Sequence, residues 1–339
     1  MTPDGEAPID PQLPVIDAHH HLFDHPSQGF AFITKRRRFL IDDYVRYAGD
    51  QHNLVATIAL EAHGMYAAAG PEELRAVNET EFLNGQAAMS RAGFYGPARV
   101  AAAIIGHADL RRGHDVKAVL EAYLAAAPHR LRGIRQEGMW DADPSVLGGM
   151  SDKGAHQYLD DGFRRGFSEL APLGLTFDAF VLAPQLADVT DLARSFPDTT
   201  IVLNHLGQPV GIGAHAGRLQ EEFSGWRKNM TDIAECPNVF VKMGGLGSFL
   251  GGSPTYRADP PAPSETLAAE WKAYAETAIQ LFGADRVMFE SNAPTDGAGS
   301  FSVVCNAYKR IVAGYSADEK AEIFAGTAAR VYRLDVPAD

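Results

Sequence analysis

Eight short apolar runs, each followed by a longer segment, place the strongest constraint on the fold of this 339-residue chain. Near-continuous apolar character is typical of strands that are buried on both faces, as parallel strands are. The runs occupy residues 14–18, 54–61, 99–105, 131–135, 175–182, 200–204, 238–243 and 286–289. They predict a parallel β-sheet that forms the centre of the molecule.

Segments with helical spacing of apolar residues lie between most of these runs. They span residues 116–127, 163–173, 186–196, 219–234, 267–282, 302–313 and 317–332. Strands that alternate with helices indicate an α/β fold, and eight such units predict closure into a (β/α)8 TIM barrel. We expect one domain over residues 1–339, with the barrel core at 14–335. A doubly wound sheet is the alternative, but no G-x-G-x-x-G turn follows the first run.

The composition narrows the partners and the setting of the protein. The formal net charge of −13 argues against nucleic acid as a partner, because an acidic chain repels phosphate. Cys236 and Cys305 stand apart and favour a reducing cytoplasm over a disulfide framework. No secretory signal and no run long enough to cross a membrane is evident, so we expect a cytoplasmic protein, with a homo-oligomer as an open question.

Two loops follow predicted strand ends and are interpreted either as lids or as ordinary surface loops. The first spans residues 23–40 and contains the basic cluster KRRR at 35–38, which is either a solvated loop or a lip that attracts an anionic substrate. The second spans residues 247–264 and is rich in glycine and proline. Both would emerge at the catalytic face of a barrel.

Polar side chains stand at or near the ends of most predicted strands, where the active site of a TIM barrel forms. The most informative pair is His19 and His21 in the first run, because residues i and i+2 of a strand face the same side. Two inward imidazoles can share a divalent cation, for which zinc is the leading choice, or they can bind substrate directly. Asp17 would lie on the same face, deeper in the barrel, and could orient a metal ligand.

The remaining candidates have roles that follow from their chemistry. His205 ends the sixth run and can bind metal or transfer a proton, and Arg135 can pair with a substrate carboxylate. Lys242 lies within an apolar run, so it needs an acidic partner such as Glu290. The general-base candidates that activate water are Glu61, Glu290 and Asp296, and the substrate-binding candidates are Arg135, Gln136, Glu61, Lys242 and Asn292.

Together these motifs resemble the amidohydrolase-related (amidohydrolase 2) TIM-barrel hydrolases, a group that includes sugar-acid lactonases and 2-pyrone-4,6-dicarboxylate lactonases. The resemblance covers nearly the whole chain and is specific for the family, not for a substrate. It rests on VIDAHHHLF at 15–23, GIRQ at 133–136, NHLGQP at 204–209, VFVKMGGL at 239–246, FESNAPTD at 289–296 and IFAGTAARVY at 323–332.

Two departures from the family pattern bear on the metal that the resemblance implies. Metal-dependent members carry an aspartate after the eighth strand, where this chain has Asn292, and a histidine after the fifth strand, where this chain reads VLAPQ at 181–185 with Ala183. The resemblance therefore leaves two routes open. One is metal-free polarisation of a carbonyl by histidines and an arginine. The other is a single metal held by His19 and His21 with His205 or Glu290.

The first hypothesis is a hydrolase that opens a small, carboxylated lactone or cyclic amide. His19, His21 and His205 would polarise the carbonyl, Arg135 would hold a substrate carboxylate, and Glu290 or Asp296 would take a proton from water. The alternatives are a decarboxylase or hydratase on the same scaffold, and a binding barrel without activity.

Overall fold

The computed structural model describes residues 6–25, 36–148 and 154–335 of the chain. Eight strands in this part form one parallel sheet in which each strand pairs with the next along the chain. Each predicted apolar run overlaps one of them, so the predicted (β/α)8 barrel is confirmed. The strands are β1 Val15–His21, β2 Leu54–Leu60, β3 Arg99–His107, β4 Leu131–Glu137, β5 Thr176–Phe180, β6 Ile201–Leu203, β7 Val239–Met243 and β8 Val287–Phe289.

Backbone hydrogen bonds close the sheet between β1 and the segment that follows β8. The His21 N–H donates to the Ala293 carbonyl over 2.8 Å, and the Asn292 N–H donates to the His19 carbonyl over 2.9 Å. Asp17 reinforces this closure, because its carboxylate accepts hydrogen bonds from the backbone N–H and the hydroxyl of Ser291 at 2.8 and 2.6 Å. The first and last strands therefore bring His19 and the residues after β8 to the same end of the barrel.

Helices pack around the barrel in the described part of the chain. They are α1 Ile41–Ala48, α2 Val77–Arg91, α3 Val116–Ala126, α4 Pro144–Leu147, α5 Asp161–Phe167, α6 Leu186–Ser195, α7 Leu219–Ala234, α8 Ser264–Phe282, α9 Phe301–Ile311, α10 Ala317–Ala321 and α11 Thr327–Val331. The helix predicted over 317–332 is divided by a π-helical turn at Glu322–Gly326. The sequence pattern missed α1, α2 and the four-residue α4. In α2 the buried face carries polar residues, among them Glu79, Thr80 and Gln86, so it shows little apolar periodicity.

The two predicted lid loops differ in how far they are described. In the first loop, Phe23–Asp24 pairs with Arg38–Phe39, and Arg38 pairs with Asp42 and Asp43 of α1. Residues 26–35, which include Lys35 of the basic cluster, lie outside the described residues. The second loop contains a 3-10 turn at Phe249–Gly251 and ends at the start of α8.

An apolar floor fills the barrel below the polar strand ends. Ile16, Ile58, Val202 and Met288 are fully buried there and pack with residues of the last helix. Tyr332, which follows α11, is also fully buried in this cluster, and its hydroxyl donates to the Asp178 carboxylate at 3.1 Å. The floor thus lies directly below the polar layer and contacts it through Tyr332.

The structure bears on two predictions, the absence of a membrane-spanning segment and the absence of a disulfide framework. In the described residues, none of the helices has the length and apolar character needed to cross a membrane. Cys236 and Cys305 are buried thiols that form no disulfide. The cytoplasmic location and the homo-oligomer stay predictions.

His52 connects the segment before β2 to α9. Its Nδ1 lies 3.0 Å from the Lys309 Nζ and its Nε2 lies 3.3 Å from the Ser302 hydroxyl. Burial, together with the positive charge of Lys309, lowers the pKa of His52 to about 4. The folded protein therefore contains neutral His52, whose Nδ1 accepts a hydrogen bond from the ammonium group.

We expect acid to destabilise the protein through His52. Its pKa is lower in the folded than in the unfolded state, so stability is lost as the pH falls from about 6.5 to about 4. Replacing His52 by Asn keeps an acceptor for Lys309 and removes the titration. The free energy of unfolding is measured in urea for both proteins at about pH 6.5 and at about pH 4. Between these values the loss of stability should be about 2 kcal/mol smaller in H52N than in the wild type. Parallel curves for the two proteins would contradict this assignment.

Candidate active site

The carboxyl ends of β1, β6 and β8 bring two imidazoles and a carboxylate together at the mouth of the barrel. His19, His205 and Glu290 each offer one atom that could bind a metal, and these atoms lie within 4.8 Å of one another. All three side chains are buried. We call these three residues the catalytic cluster, because the active sites of TIM barrels form at this face.

His19 and His21 face each other as the sequence pattern predicted. Their Nε2 atoms are 3.2 Å apart, and the His21 Nδ1 lies 2.9 Å from the Glu61 carbonyl oxygen, to which it donates. His21 thus contacts the catalytic cluster through His19 and is not itself within the group of three metal-binding atoms.

Glu290 joins the two other members of the catalytic cluster. Its Oε1 lies 2.6 Å from the His205 Nδ1, and its Oε2 lies 3.0 Å from the His19 Nδ1. The second contact lacks the geometry of a hydrogen bond, so Oε2 is buried without a hydrogen-bond partner among the described residues. A buried carboxylate oxygen of this kind is available to a substrate, a water molecule or an ion.

Two glycines after β7 allow this close approach. A Cβ atom on Gly244 would lie 2.1 Å from the Glu290 Cγ, and one on Gly245 would lie 2.4 Å from the His205 Cβ. His205 itself has a φ of 55°, in the left-handed region that non-glycine residues rarely adopt. Such strain persists only where the surroundings impose it, and it is concentrated at functional sites.

Beneath His19, a buried ion pair supports the catalytic cluster. The Lys242 Nζ donates to the Asp178 Oδ1 over 2.6 Å and lies 3.5 Å from the His19 Nδ1. Asp178 also accepts hydrogen bonds from Asn204 and Tyr332. The acidic partner of Lys242 is therefore Asp178 of β5, and not Glu290 as the sequence interpretation suggested.

On the opposite side of His19, Arg135 is held by Glu61. The Arg135 Nε donates to the Glu61 Oε1 over 2.5 Å, its Nη2 donates to the Glu61 carbonyl over 3.0 Å, and its Nη1 lies 3.3 Å from the His19 Nε2. Both side chains are buried. Glu61 therefore positions the guanidinium, which directs Nη1 at the catalytic cluster.

The electrostatic environment keeps the imidazoles neutral and makes the carboxylate basic. Burial lowers the pKa of His19, His21 and His205 well below the usual value; the charge of Arg135 lowers all three further, and that of Lys242 lowers those of His19 and His205. Burial raises the pKa of Glu290 to about 8, against the opposing effect of Lys242. Glu290 is consequently a stronger base than an ordinary glutamate.

The donors of the catalytic cluster suit zinc, whereas the cations beside His19 weaken the site for a dication. Nitrogen and carboxylate oxygen are ligands that zinc prefers, and Glu290 Oε2 is without a partner in the described part of the chain. However, each ring nitrogen of His19 already faces a positively charged group, Arg135 or Lys242. Each of these cations is itself paired with a buried carboxylate, Arg135 with Glu61 and Lys242 with Asp178. Those carboxylates and Glu290 offset part of the repulsion, so the cations weaken the site for a metal without excluding one.

Two further sequence-based expectations differ from what the structure places at the site. Gln136 was expected to bind substrate, but its side chain holds the Leu110 N–H at 2.8 Å and Asp109 at 2.9 Å. It points away from the site because β4 continues to Glu137 and neighbours on a strand face opposite sides. Asp17 was expected on the face of the histidines, but the β1–β2 pairing shifts between Asp17 and His20. As a result, Asp17 accepts a hydrogen bond from Tyr44 of α1 and not from an imidazole.

Asp296 and Asn292 form a pair of their own beside the site. The Asn292 Nδ2 donates to the Asp296 Oδ1 over 2.7 Å, and the Gly247 N–H donates to the Asp296 Oδ2 over 3.1 Å. Burial raises the pKa of Asp296 well above its usual value. Of the two proposed bases, Glu290 is the one in contact with the imidazoles, so it is the better placed for proton transfer.

A second group of metal-binding atoms lies at the ends of β2, β3 and β4. Glu61, His63, His107 and Glu137 each offer one such atom, and these atoms also lie within 4.8 Å of one another. We call these four residues the rim cluster. His63 is exposed, His107 and Glu137 are half-buried, and Glu61 is buried.

Sequence reasoning missed Asp178 and Glu137. Asp178 could have been found, since it lies in the middle of an apolar run just as Lys242 does, and buried opposite charges must pair. Glu137 could not, because the predicted fourth strand stopped at residue 135. The structure extends β4 by one further inward position, which is Glu137.

Comparisons with known proteins agree with this architecture. The amidohydrolase family model matches residues 16–334. The uncharacterized protein y4mH of Sinorhizobium fredii is 32% identical, over 95% of this chain and 99% of that protein. An L-fucono-1,5-lactonase of Burkholderia multivorans is 28% identical, over 96% of this chain and 97% of that enzyme. A crystal structure of a Burkholderia multivorans amidohydrolase with bound zinc is 26% identical with a TM-score of 0.72, over 94% of this chain and 99% of that one.

We expect replacement of Asp178 by Asn to destabilise the protein strongly, because it leaves the Lys242 charge buried without a counter-charge. Removing one partner of a buried ion pair costs about 3–5 kcal/mol. The matched control is D191N, which removes the acid of a surface pair with Arg164 and should cost less than about 1 kcal/mol. Urea denaturation would measure the free energy of unfolding of D178N and of D191N. The double variant D178N/K242M should be more stable than D178N, because it also removes the unpaired charge. Equal losses for D178N and D191N would show that the buried pair does not support the site.

Proposed function

This chain belongs to the amidohydrolase family of enzymes, and from that premise we propose that it hydrolyses small lactones with its own charged groups as the electrophile. The observation that carries the proposal is the contact of His19, His205 and Glu290 between two buried cations, Arg135 and Lys242. The 28% identity to an L-fucono-1,5-lactonase over nearly the full length supports a lactone as substrate. A sugar 1,5-lactone is therefore the first substrate to test.

In this proposal the lactone carbonyl lies beside His19, where its oxygen accepts a hydrogen bond from the Arg135 Nη1. The guanidinium and the Lys242 ammonium lie on either side of His19. They stabilise the negative charge that develops on the oxygen when water attacks the carbonyl carbon. Preorganised cations in a site that excludes water are the most effective means of such stabilisation.

Glu290 is the proposed general base. Its Oε2 takes a proton from the attacking water, while its Oε1 keeps the contact with His205. As the tetrahedral intermediate collapses, the bond between the carbonyl carbon and the ring oxygen breaks. The proton on Glu290 then passes to that ring oxygen, so the products are a hydroxyl group and a carboxylic acid, which loses its remaining proton to solvent and becomes a carboxylate.

We propose a role for Arg135 that differs from the one suggested by the sequence. From the sequence, Arg135 was expected to bind a carboxylate group of the substrate, but its Nε and Nη2 already donate to Glu61. Nη1 faces the catalytic cluster, so we assign Arg135 to the carbonyl oxygen. The anionic substrate stays a prediction, and so does the use of zinc by the intact enzyme.

We expect E290Q to lower kcat/KM for a sugar 1,5-lactone by at least about 100-fold, because a neutral amide cannot accept a proton from water. The matched control is E169Q, which removes a surface acid paired with His114 and should leave the rate unchanged. Acid release from a panel of sugar 1,5-lactones and δ-valerolactone would be followed by indicator absorbance. Full activity in E290Q would refute the role of Glu290. Release of carbon dioxide from a hydroxybenzoate, with no lactone turned over, would favour the decarboxylase alternative.

We also expect kcat/KM to rise with pH and level off above about pH 8, because Glu290 acts as a base and its pKa is raised to about 8. The base is active when deprotonated, so activity is lost as the pH falls below that value. Initial rates corrected for spontaneous hydrolysis would give the profile. A profile that is flat between pH 6 and 9 would rule out a group with this pKa as the base.

A further inference from the structure

We propose that the rim cluster, formed by Glu61, His63, His107 and Glu137, binds one divalent transition-metal ion such as Zn²⁺. The site is distinct from the catalytic cluster, since Arg135 contacts both Glu61 and His19 and so stands between them. The inference concerns ion binding and does not depend on which substrate the enzyme hydrolyses.

The distances within the rim cluster suit a shared ion. The His63 Nε2 lies 2.7 Å from the Glu137 Oε1 and 3.5 Å from the Glu61 Oε2. Ligand atoms bound tetrahedrally to zinc at about 2.0–2.2 Å are roughly 3.4 Å apart. The four side chains can therefore reach ligand positions through shifts of less than about 1 Å. Two imidazoles and two carboxylates are a donor set that suits zinc, manganese and cobalt.

Hydrogen bonds outside the cluster orient both imidazoles. The His107 Nδ1 lies 3.1 Å from the Arg135 carbonyl oxygen, so Nδ1 carries the proton and Nε2 carries the lone pair. The His63 Nδ1 lies 3.0 Å from the Tyr66 hydroxyl, and its Nε2 faces the carboxylates. Metal-binding histidines are commonly held in this way, with one nitrogen fixed by a hydrogen bond and the other directed at the ion.

The charges favour a cation here more than at the catalytic cluster. Glu61 and Glu137 both belong to the rim cluster, and the buried Glu79 lies close enough to influence Glu61. Among the described residues, Arg135 is the permanent cation that contacts this group. In the catalytic cluster, by contrast, Glu290 is the one carboxylate ligand, and two ion-paired cations lie beside His19. A dication is therefore attracted more strongly to the rim cluster than to the catalytic one.

Solvent reaches the rim cluster. The His63 side chain is 40% exposed, which gives an ion a path to the ligands without opening the barrel. A bound ion would fix the segment after β2 to the ends of β3 and β4. It would also neutralise Glu137 and Glu61, and so influence the carboxylate that holds Arg135.

The test is isothermal titration of the chelator-treated, full-length protein with ZnCl₂. We expect H63Q and H107Q each to lower the number of bound Zn²⁺ ions by one per chain, or to weaken that ion at least 100-fold. H114Q is the matched control, because it removes a histidine that pairs with a single glutamate on the surface. H205N tests the rival location in the catalytic cluster. H114Q and H205N should each bind Zn²⁺ with the stoichiometry and affinity of the wild type.

Visible absorption of Co²⁺ bound to the same variants gives a second measurement, and E137Q repeats the test should a histidine variant fail to fold. A wild-type protein that binds no Zn²⁺ would overturn the proposal. So would an ion that is lost in H205N and kept in H63Q. Lactone hydrolysis is measured separately on the metal-stripped enzyme, so failure of one proposal is distinguishable from failure of the other.

Discussion

The buried ion pair between Lys242 and Asp178 is the interaction on which the active site depends. Both side chains are fully buried, and the pair lies between the apolar floor of the barrel and the imidazole of His19. Such a pair is stable only because Asp178 also accepts hydrogen bonds from Asn204 and Tyr332. The last helices of the chain thus contribute Tyr332 to a site whose other members come from the strands. A positive charge is thereby held permanently beneath the reacting groups.

Arg135 divides the polar layer above this pair into two regions of opposite character. On one side, neutral imidazoles and a basic glutamate lie beside fixed cations, which favours reactions that develop negative charge on oxygen. On the other side, Glu61 and Glu137 accompany two oriented histidines, which favours a cation. The Arg135 guanidinium contacts both regions, because its Nε donates to Glu61 and its Nη1 lies beside His19.

Much of this arrangement can be predicted from the sequence because strand ends of a parallel barrel converge in space. His19, His205 and Glu290 directly follow apolar runs and Lys242 lies near the end of one, so the pattern places them at one mouth. The partners were harder to predict. Whether Lys242 forms its ion pair with Glu290 or with Asp178 depends on which strands face each other across the barrel. The local sequence around Lys242 does not encode that arrangement.

Errors of one residue at strand ends account for other differences. Side chains alternate along a strand, so extending β4 to Glu137 brings that residue to the rim cluster and turns Gln136 away. A register shift in β1 likewise separates Asp17 from the histidines two and four residues later. These details depend on backbone pairing, which the apolar pattern does not specify.

The central claim is that the fixed cations of the catalytic cluster replace a metal there, while the rim cluster attracts one. The most direct measurement is an anomalous difference map, recorded at the zinc absorption edge, from crystals of the full-length protein grown with ZnCl₂. The account predicts a peak among Glu61, His63, His107 and Glu137 and none between His19, His205 and Glu290. A peak between His19 and Glu290 would contradict it.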